Sequence, residues 1–263
     1  MTRVRRAAVA GLFYPDDPRE LAAAVGTALD VAVPEGEPAP KAVIVPHAGY
    51  VYSGAIAGSA YARLRALAGR IRHVVLLGPA HRVAVDGLAV SSADAFVTPL
   101  GAVPVDDALR RRVLELPGVT IDDSAHAGEH SLEVQLPFLQ GVLGAFTLLP
   151  LAVGDASPSE VAAVLDRVWG GPETLVVVSS DLSHYHDYAT ARARDRRTAA
   201  AIVAADAAAI ADEDACGARP IRGLLVAARR HGLAVRILDL RSSGDTAGDH
   251  ERVIGYGAFT VSG

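Results

Sequence analysis

A chain of 263 residues, 51% hydrophobic and 21% charged, is neither disordered, collagenous nor coiled-coil, and it is long enough to bury a sizeable core without disulfide staples. Its 25 Lys and Arg against 30 Asp and Glu give a formal net charge of −5, with no basic run beyond short clusters such as Arg110-Arg111-Arg112, so the electrostatic footprint of a nucleic-acid binder is missing. The one cysteine, Cys216, cannot form an internal disulfide and fits a reducing, cytoplasmic setting.

Met1 to Tyr14 carries arginines ahead of a short apolar stretch, but Pro15-Asp16-Asp17 ends that stretch without a small-residue cleavage pattern, so no signal peptide is expected. Asp17 as N-cap, Pro18 in the first turn and Glu20 as capping-box glutamate predict a helix to about Asp30, followed by a loop over Glu35 to Pro40. Ala42 to Pro46, His73 to Gly78, Thr174 to Ser180 and Ala234 to Leu240 are aliphatic or β-branched runs ended by Gly, Pro, Ser or Asp, the pattern of central strands buried on both faces. Between them lie helical stretches: Ser53 to Leu67, the series Leu132, Leu136, Leu139 and Leu143, then Ser157 to Trp169, Ala189 to Ala205 and Ile221 to His231. The uncharged segment Val134 to Gly154 imitates a membrane span, but Pro137, Pro150, Gln135 and Gln140 argue for a core helix followed by a buried strand. Ala199 to Ala211 is alanine-rich and reads as helix, and Val253 to Val261 reads as a last strand. The alternation predicts a single layered α/β/α domain over residues 1–263 with a central, mostly parallel or mixed sheet.

In open α/β sheets the ligand site forms beyond the carboxyl ends of the strands. The strand ends here deliver His47, His81, Asp181 with His184, and Asp245. Two imidazoles and one carboxylate form the facial ligand set of non-haem Fe(II) oxygenases, and His47, His81 and Asp245 could supply it. His184 is then free to act as acid or base, with Asp181 three residues earlier to orient it; alternatively Asp181 and His184 cap the following helix. Glu129 and His130, together with Tyr50 from the first strand's loop, are candidate substrate contacts.

His126-Ala127-Gly128-Glu129-His130 also fits the H-x-x-E-H zinc-peptidase pattern, although Gly128 and the turn at Asp122-Asp123-Ser124 oppose the helix that this motif needs. Phosphate-cradling, dinucleotide, nucleophile-elbow and paired C-x-x-C motifs are absent from the sequence. Cys216 reads as a small buried hydrophobe outside the site.

Several segments in order resemble one family: Arg6 to Pro15 (R-A-A-V-A-G-L-F-Y-P), Val45 to Gly54 (V-P-H-A-G-Y-V-Y-S-G), Leu77 to His81, Thr98 to Gly101, Glu129 to Phe138 (E-H-S-L-E-V-Q-L-P-F), Ser179 to Tyr185 and Ser243 to Asp249. They look like the Memo family, whose prokaryotic members are often called AmmeMemoRadiSam system protein B. The family fold is similar to class III extradiol dioxygenases, which cleave catechol rings with Fe(II). The resemblance implies His47 and His81 as metal ligands, Asp245 in the carboxylate position and His184 as the catalytic histidine. Animal Memo proteins, mediators of receptor-driven cell motility, carry a cysteine where this chain has Asp245. The expected function is oxidation of a small catechol-like or other bidentate substrate by O2 at Fe(II), with copper or zinc as alternative ions. A non-catalytic metal- or peptide-binding module is the other class, a zinc hydrolase a third, and neither nucleic acid nor a membrane is an expected partner.

Overall fold

The computed structural model describes residues 3–34 and 36–263; Met1, Thr2 and Glu35, where the expected loop to Pro40 begins, lie outside the described residues. Among the described residues the strands in chain order are β1 (Val4–Arg5), β2 (Ala42–Val45), β3 (His73–Pro79), β4 (Leu88–Val90), β5 (Ala95–Thr98), β6 (Gly101–Pro104), β7 (Val119–Ile121), β8 (Thr147–Val153), β9 (Thr174–Ser179), β10 (His184–His186), β11 (Ala234–Ser242) and β12 (Val253–Ser262). The helices are α1 (Pro18–Leu29), α2 (Tyr50–Tyr61), α3 (Asp107–Leu114), α4 (Ser124–Ala127), α5 (Leu136–Leu143), α6 (Pro158–Val168), α7 (Tyr188–Val203) and α8 (Ala218–Arg230).

The all-apolar runs form the centre of the large sheet because both of its faces are covered. β2, β9, β3 and β8 lie side by side and parallel, and every residue of β2 and β9 is buried. Their side chains alternate between two cores. Ala42, Ile44, Val75 and Leu77 pack with Val113, Leu165, Ile202 and Leu224 from α3, α6, α7 and α8. Val43, Val45, Val74 and Leu76 pack with Leu21, Ile56 and Leu139 from α1, α2 and α5. The result is a layered α/β/α arrangement around a mixed sheet, since β12 joins β2, and β4 joins β8, antiparallel.

The run from Ala234 to Leu240 is not a central strand as its composition suggests. It forms β11, which pairs with β12 alone among the described residues, because Arg236, Asp239 and Arg241 interrupt the apolar run and leave it largely outside the core. β12 is the buried member of that pair. The helix expected over Ala199 to Ala211 stops at Val203, and Ala205 takes a left-handed φ of 51°. α3 and the small sheet β1-β5-β6 carry too short a pattern to stand out in the sequence.

Asp17 caps α1 as expected, but among the described residues Glu20 makes no return hydrogen bond to close a capping box there. Asp17 accepts from the backbone N–H groups of Arg19 and Glu20 at 2.8 and 3.0 Å, and Ser157 and Glu160 form a reciprocal capping box on α6. The uncharged Val134 to Gly154 segment is a 3-10 turn, α5 and then β8. No helix among the described residues is long and apolar enough to cross a membrane.

One buried ion pair laces the N-terminal segment beneath the strand ends. Arg5 pairs with Glu133 and also donates to the backbone carbonyls of His126 and Glu129. Glu133 accepts further from the N–H groups of Ala8 and Val9, at 2.7 and 3.0 Å, and from the Tyr14 hydroxyl. Burying such a pair requires that its remaining hydrogen-bonding capacity be used, and here it is.

Candidate metal centre

His47 follows β2, His81 follows β3, Asp181 follows β9, and His184 opens β10. All four line one cavity of about 790 Å³ together with His130 and Cys216.

The hydrogen bonds assign the imidazole tautomers. Ser179 Oγ spends its single proton on the Ser131 carbonyl at 2.6 Å, and it accepts from Gln135 Nε2 at 2.8 Å. Its contact with His47 Nδ1, also 2.8 Å, must therefore be donated by His47, which leaves Nε2 with its lone pair. That nitrogen lies 3.3 Å from Cys216 Sγ. His81 Nδ1 lies 3.0 Å from a Glu129 carboxylate oxygen and His184 Nδ1 lies 2.8 Å from the Leu182 carbonyl, so both rings donate there, and in the neutral ring this tautomer carries the lone pair on Nε2. Burial, followed by the neighbouring His81 and His130 rings, holds His47 well below the usual histidine range, in the neutral form that a metal ligand needs. Burial likewise lowers His184.

Glu129 is a positioning residue rather than a cavity wall. Its oxygens accept from the His81 N–H at 2.6 Å and from those of His130 and Ser131 at 2.9 Å each, besides the His81 ring. Burial pushes its carboxyl up, but these hydrogen bonds outweigh burial and hold it at about 2. A carboxylate behind a ligating imidazole fixes the ring's orientation and raises its basicity.

Asp181 does not orient His184, because the Leu182 carbonyl does. Asp181 instead accepts from the backbone N–H of His47 at 2.8 Å, and burial pushes it up to about 7. Cys216 reaches the cavity because the chain before α8 presses against the end of β9. A Cβ on Gly217 would come within 2.6 Å of the Ser180 Cβ, and the Asp181 N–H points at Cys216 Sγ from 3.3 Å. Burial, followed by the adjacent Asp181 carboxylate, pushes the thiol up.

Two candidate residues lie elsewhere. Asp245 ends a short 3-10 turn, where its carboxylate turns back to accept from Ser242 N–H and Oγ at 2.8 and 3.0 Å and from the Tyr188 hydroxyl; it borders a separate cleft with Arg192, Arg196 and Arg241. Tyr50 faces inward, donating to the Val134 carbonyl at 2.9 Å and packing on Phe138, while Tyr52, two residues on, lines the cavity. The H-x-x-E-H pattern does not assemble, since α4 ends at Ala127 and His126 turns away to the Ala89 carbonyl. Its His130 does reach the cavity, stacked on His81 with ring centroids 4.9 Å apart and its buried Nδ1 without a hydrogen-bond partner among the described residues.

The donor set that assembles is His47, His81 and Cys216, one ligand atom from each, all within 4.8 Å of one another. His81, Glu129 and His130 form an overlapping group, in which Glu129 is already engaged by backbone. Two imidazoles and a thiol suit zinc, copper or iron, so these residues fit a late first-row ion. Sequence reasoning left Cys216 out, and only the Gly that follows it hints at the close approach.

A layered α/β protein with a histidine-rich, metal-competent cavity at its strand ends is the class that fold and site define. A sequence profile of Memo-like proteins matches residues 5–260. The chain is 38% identical to a MEMO1 family protein of Aquifex aeolicus, with 97% of each chain covered, and 36% identical to one of Methanopyrus kandleri, with 97% of this chain and 98% of the relative covered. The chain belongs to the Memo family. Among solved structures, the uncharacterized protein JW3007 from Escherichia coli K12 matches in fold, with a TM-score of 0.50 and 13% identity, over 82% of this chain and 98% of that one.

Proposed function

We propose that this protein is a metal-dependent oxidoreductase that acts with O2 on a small aromatic or other bidentate substrate, its ion held by His47, His81 and Cys216. The observation that carries the reading is the convergence of those three donors on the floor of a cavity large enough for a small organic molecule. Iron bound there would supply activation of O2 and of a chelating substrate, and the thiol donor makes copper or zinc a competitor for the same site. The chain's own residues bind and move protons. Glu129 and Ser179 hold the two ligating rings, and the lone pair on His184 Nε2 takes a proton from a substrate hydroxyl. Asp181 accepts from the His47 N–H and so holds the backbone of that ligand in place. The likeness of the family fold to class III extradiol dioxygenases supports the same substrate class, as analogy.

The test is metal content and oxygen uptake with a catechol panel, measured on anaerobically purified protein and its variants. His47→Ala, His81→Ala and Cys216→Ala should lose metal, whereas Asp245→Ala and His184→Ala should keep it. His184→Ala should lose turnover by roughly 10²–10⁴-fold with its ion in place. If Asp245→Ala comes out empty and Cys216→Ala fully loaded, the carboxylate set implied by the strand ends is the right one. If the loaded parent consumes no oxygen with any catechol, the oxidoreductase reading falls.

A further inference from the structure

The walls of the cavity bear on which molecule it takes. Phe13, Tyr52, Tyr185, Ile254 and Tyr256 make it apolar and aromatic, and Arg252 is the one arginine or lysine among the described residues that line it. The exposed Arg252 guanidinium lies 5.1 Å from the centroid of the Tyr185 ring, and among the described residues it has neither a carboxylate within ion-pair distance nor a hydrogen-bond acceptor. Stacking occupies the flat face of a guanidinium and leaves its N–H edge for a planar anion.

Tyr185 holds this platform in an unusual backbone state. Its φ is 61°, a region that aromatic residues rarely enter, at a bulge where β10 shifts register against β12 between His184 and His186. The bulge sets the Tyr185 ring edge-on to the His184 ring with centroids 5.7 Å apart, so Arg252, Tyr185 and His184 are consecutive neighbours in one wall. Backbone strain of this kind clusters at ligand clamps, where the surrounding structure enforces it. The acids of the same cavity are otherwise engaged. Asp249 accepts from the N–H groups of Glu251 and Arg252 at 2.9 and 3.3 Å, and Asp181 is buried against His47 N–H.

We propose that Arg252 is a specificity-determining residue and that the ligand is a small aromatic carboxylate. Its carboxylate pairs with the guanidinium edge, and its ring lies between the apolar walls with the far edge toward His47, His81 and His184. The inference rests on reading the cavity as a substrate site.

Calorimetric titration of the full chain with benzoate, its neutral analogue benzamide and phenyl phosphate tests it. Metal content is measured alongside, and the titrations are repeated after chelation, so that loss of ring-and-carboxylate binding is distinguishable from failure of the metal site. The parent should bind benzoate about tenfold more tightly than benzamide, the size of one charge-assisted pair. Arg252→Gln should abolish that preference, Arg252→Lys should keep part of it, Tyr185→Phe should retain it and Tyr185→Ala should weaken it. Equal affinity for benzoate and benzamide, undetectable benzoate binding, or an Arg252→Gln variant with the parent's preference would overturn the proposal. Tighter binding of phenyl phosphate than of benzoate would overturn the carboxylate.

Discussion

Replacing Glu129 with glutamine keeps the size of a side chain that accepts hydrogen bonds from the His81 ring and from three backbone N–H groups, while removing its charge. An amide has one acceptor oxygen and one donor nitrogen. With the oxygen on the side facing the His81 ring, the amide nitrogen meets the His81 N–H, a donor against a donor at 2.6 Å. With the amide flipped, three donors are opposed. At least one buried N–H is orphaned either way, a cost of about 1–3 kcal/mol to folding. The His81 ring in the first case keeps a neutral partner in place of a charged one, and loss of such support lowers metal affinity by roughly 10–100-fold. Two assays separate these effects: urea denaturation of chelated protein for the first, and competition with a chromophoric chelator for the second. An affinity within about twofold of the parent, in a variant that unfolds at lower urea, would show that Glu129 only ties backbone together and that His81 needs no carboxylate behind it.

Gly217→Ala should cost about 1–3 kcal/mol by overpacking against Ser180 and should lower metal occupancy with it; an unchanged urea midpoint would mean that the approach of Cys216 does not depend on that contact. Two groups should withdraw stability as pH is lowered, while Asp181, raised by burial from 3.8 to about 7, adds it over the upper part of the same range. Burial lowers His126 from 6.5 to about 4, and the hydrogen bonds on Glu129, against the pull of burial, lower it from 4.5 to about 2, so in both cases the unfolded chain binds more protons than the folded one. The His126 contribution is present above 6.5 and lost by about 4, the Glu129 contribution is present above 4.5 and lost by about 2, each on the order of 3 kcal/mol. Measured from pH 7 to 4, the parent's urea midpoint should fall relative to that of His126→Gln, a difference that cancels the Asp181 contribution common to both; parallel curves would remove His126 from this account.

The central strands were legible because a strand covered on both faces has no polar position to hide, as in Ala42 to Val45 and Thr174 to Ser179. β11 misled because Val235, Ile237, Leu238 and Leu240 outweighed Arg236 and Asp239, though those two charges are what an edge strand tolerates and a central one does not. His47, His81 and His184 were legible as residues at strand ends. Cys216 was not, since it sits in the connection into α8 and reaches His47, 169 residues earlier in the chain, through a single close packing contact. Asp245, expected as the third donor because it follows a strand, sits at the end of an edge strand where Ser242 and Tyr188 hydrogen-bond its carboxylate, and it does not line the cavity.

The ion pair between Arg5 and Glu133 joins residues 128 positions apart. On a ribosome, the segment that holds Arg5 emerges long before Glu133 is made, and until then its guanidinium lacks that carboxylate partner. Loop closure over that span is entropically costly, so the segment that carries Glu129 and His130 cannot reach its final form before Glu133 has been made. A bulky fusion placed immediately ahead of Arg5 would act at that moment, lowering the yield of protein able to take up metal without touching any residue of the cavity.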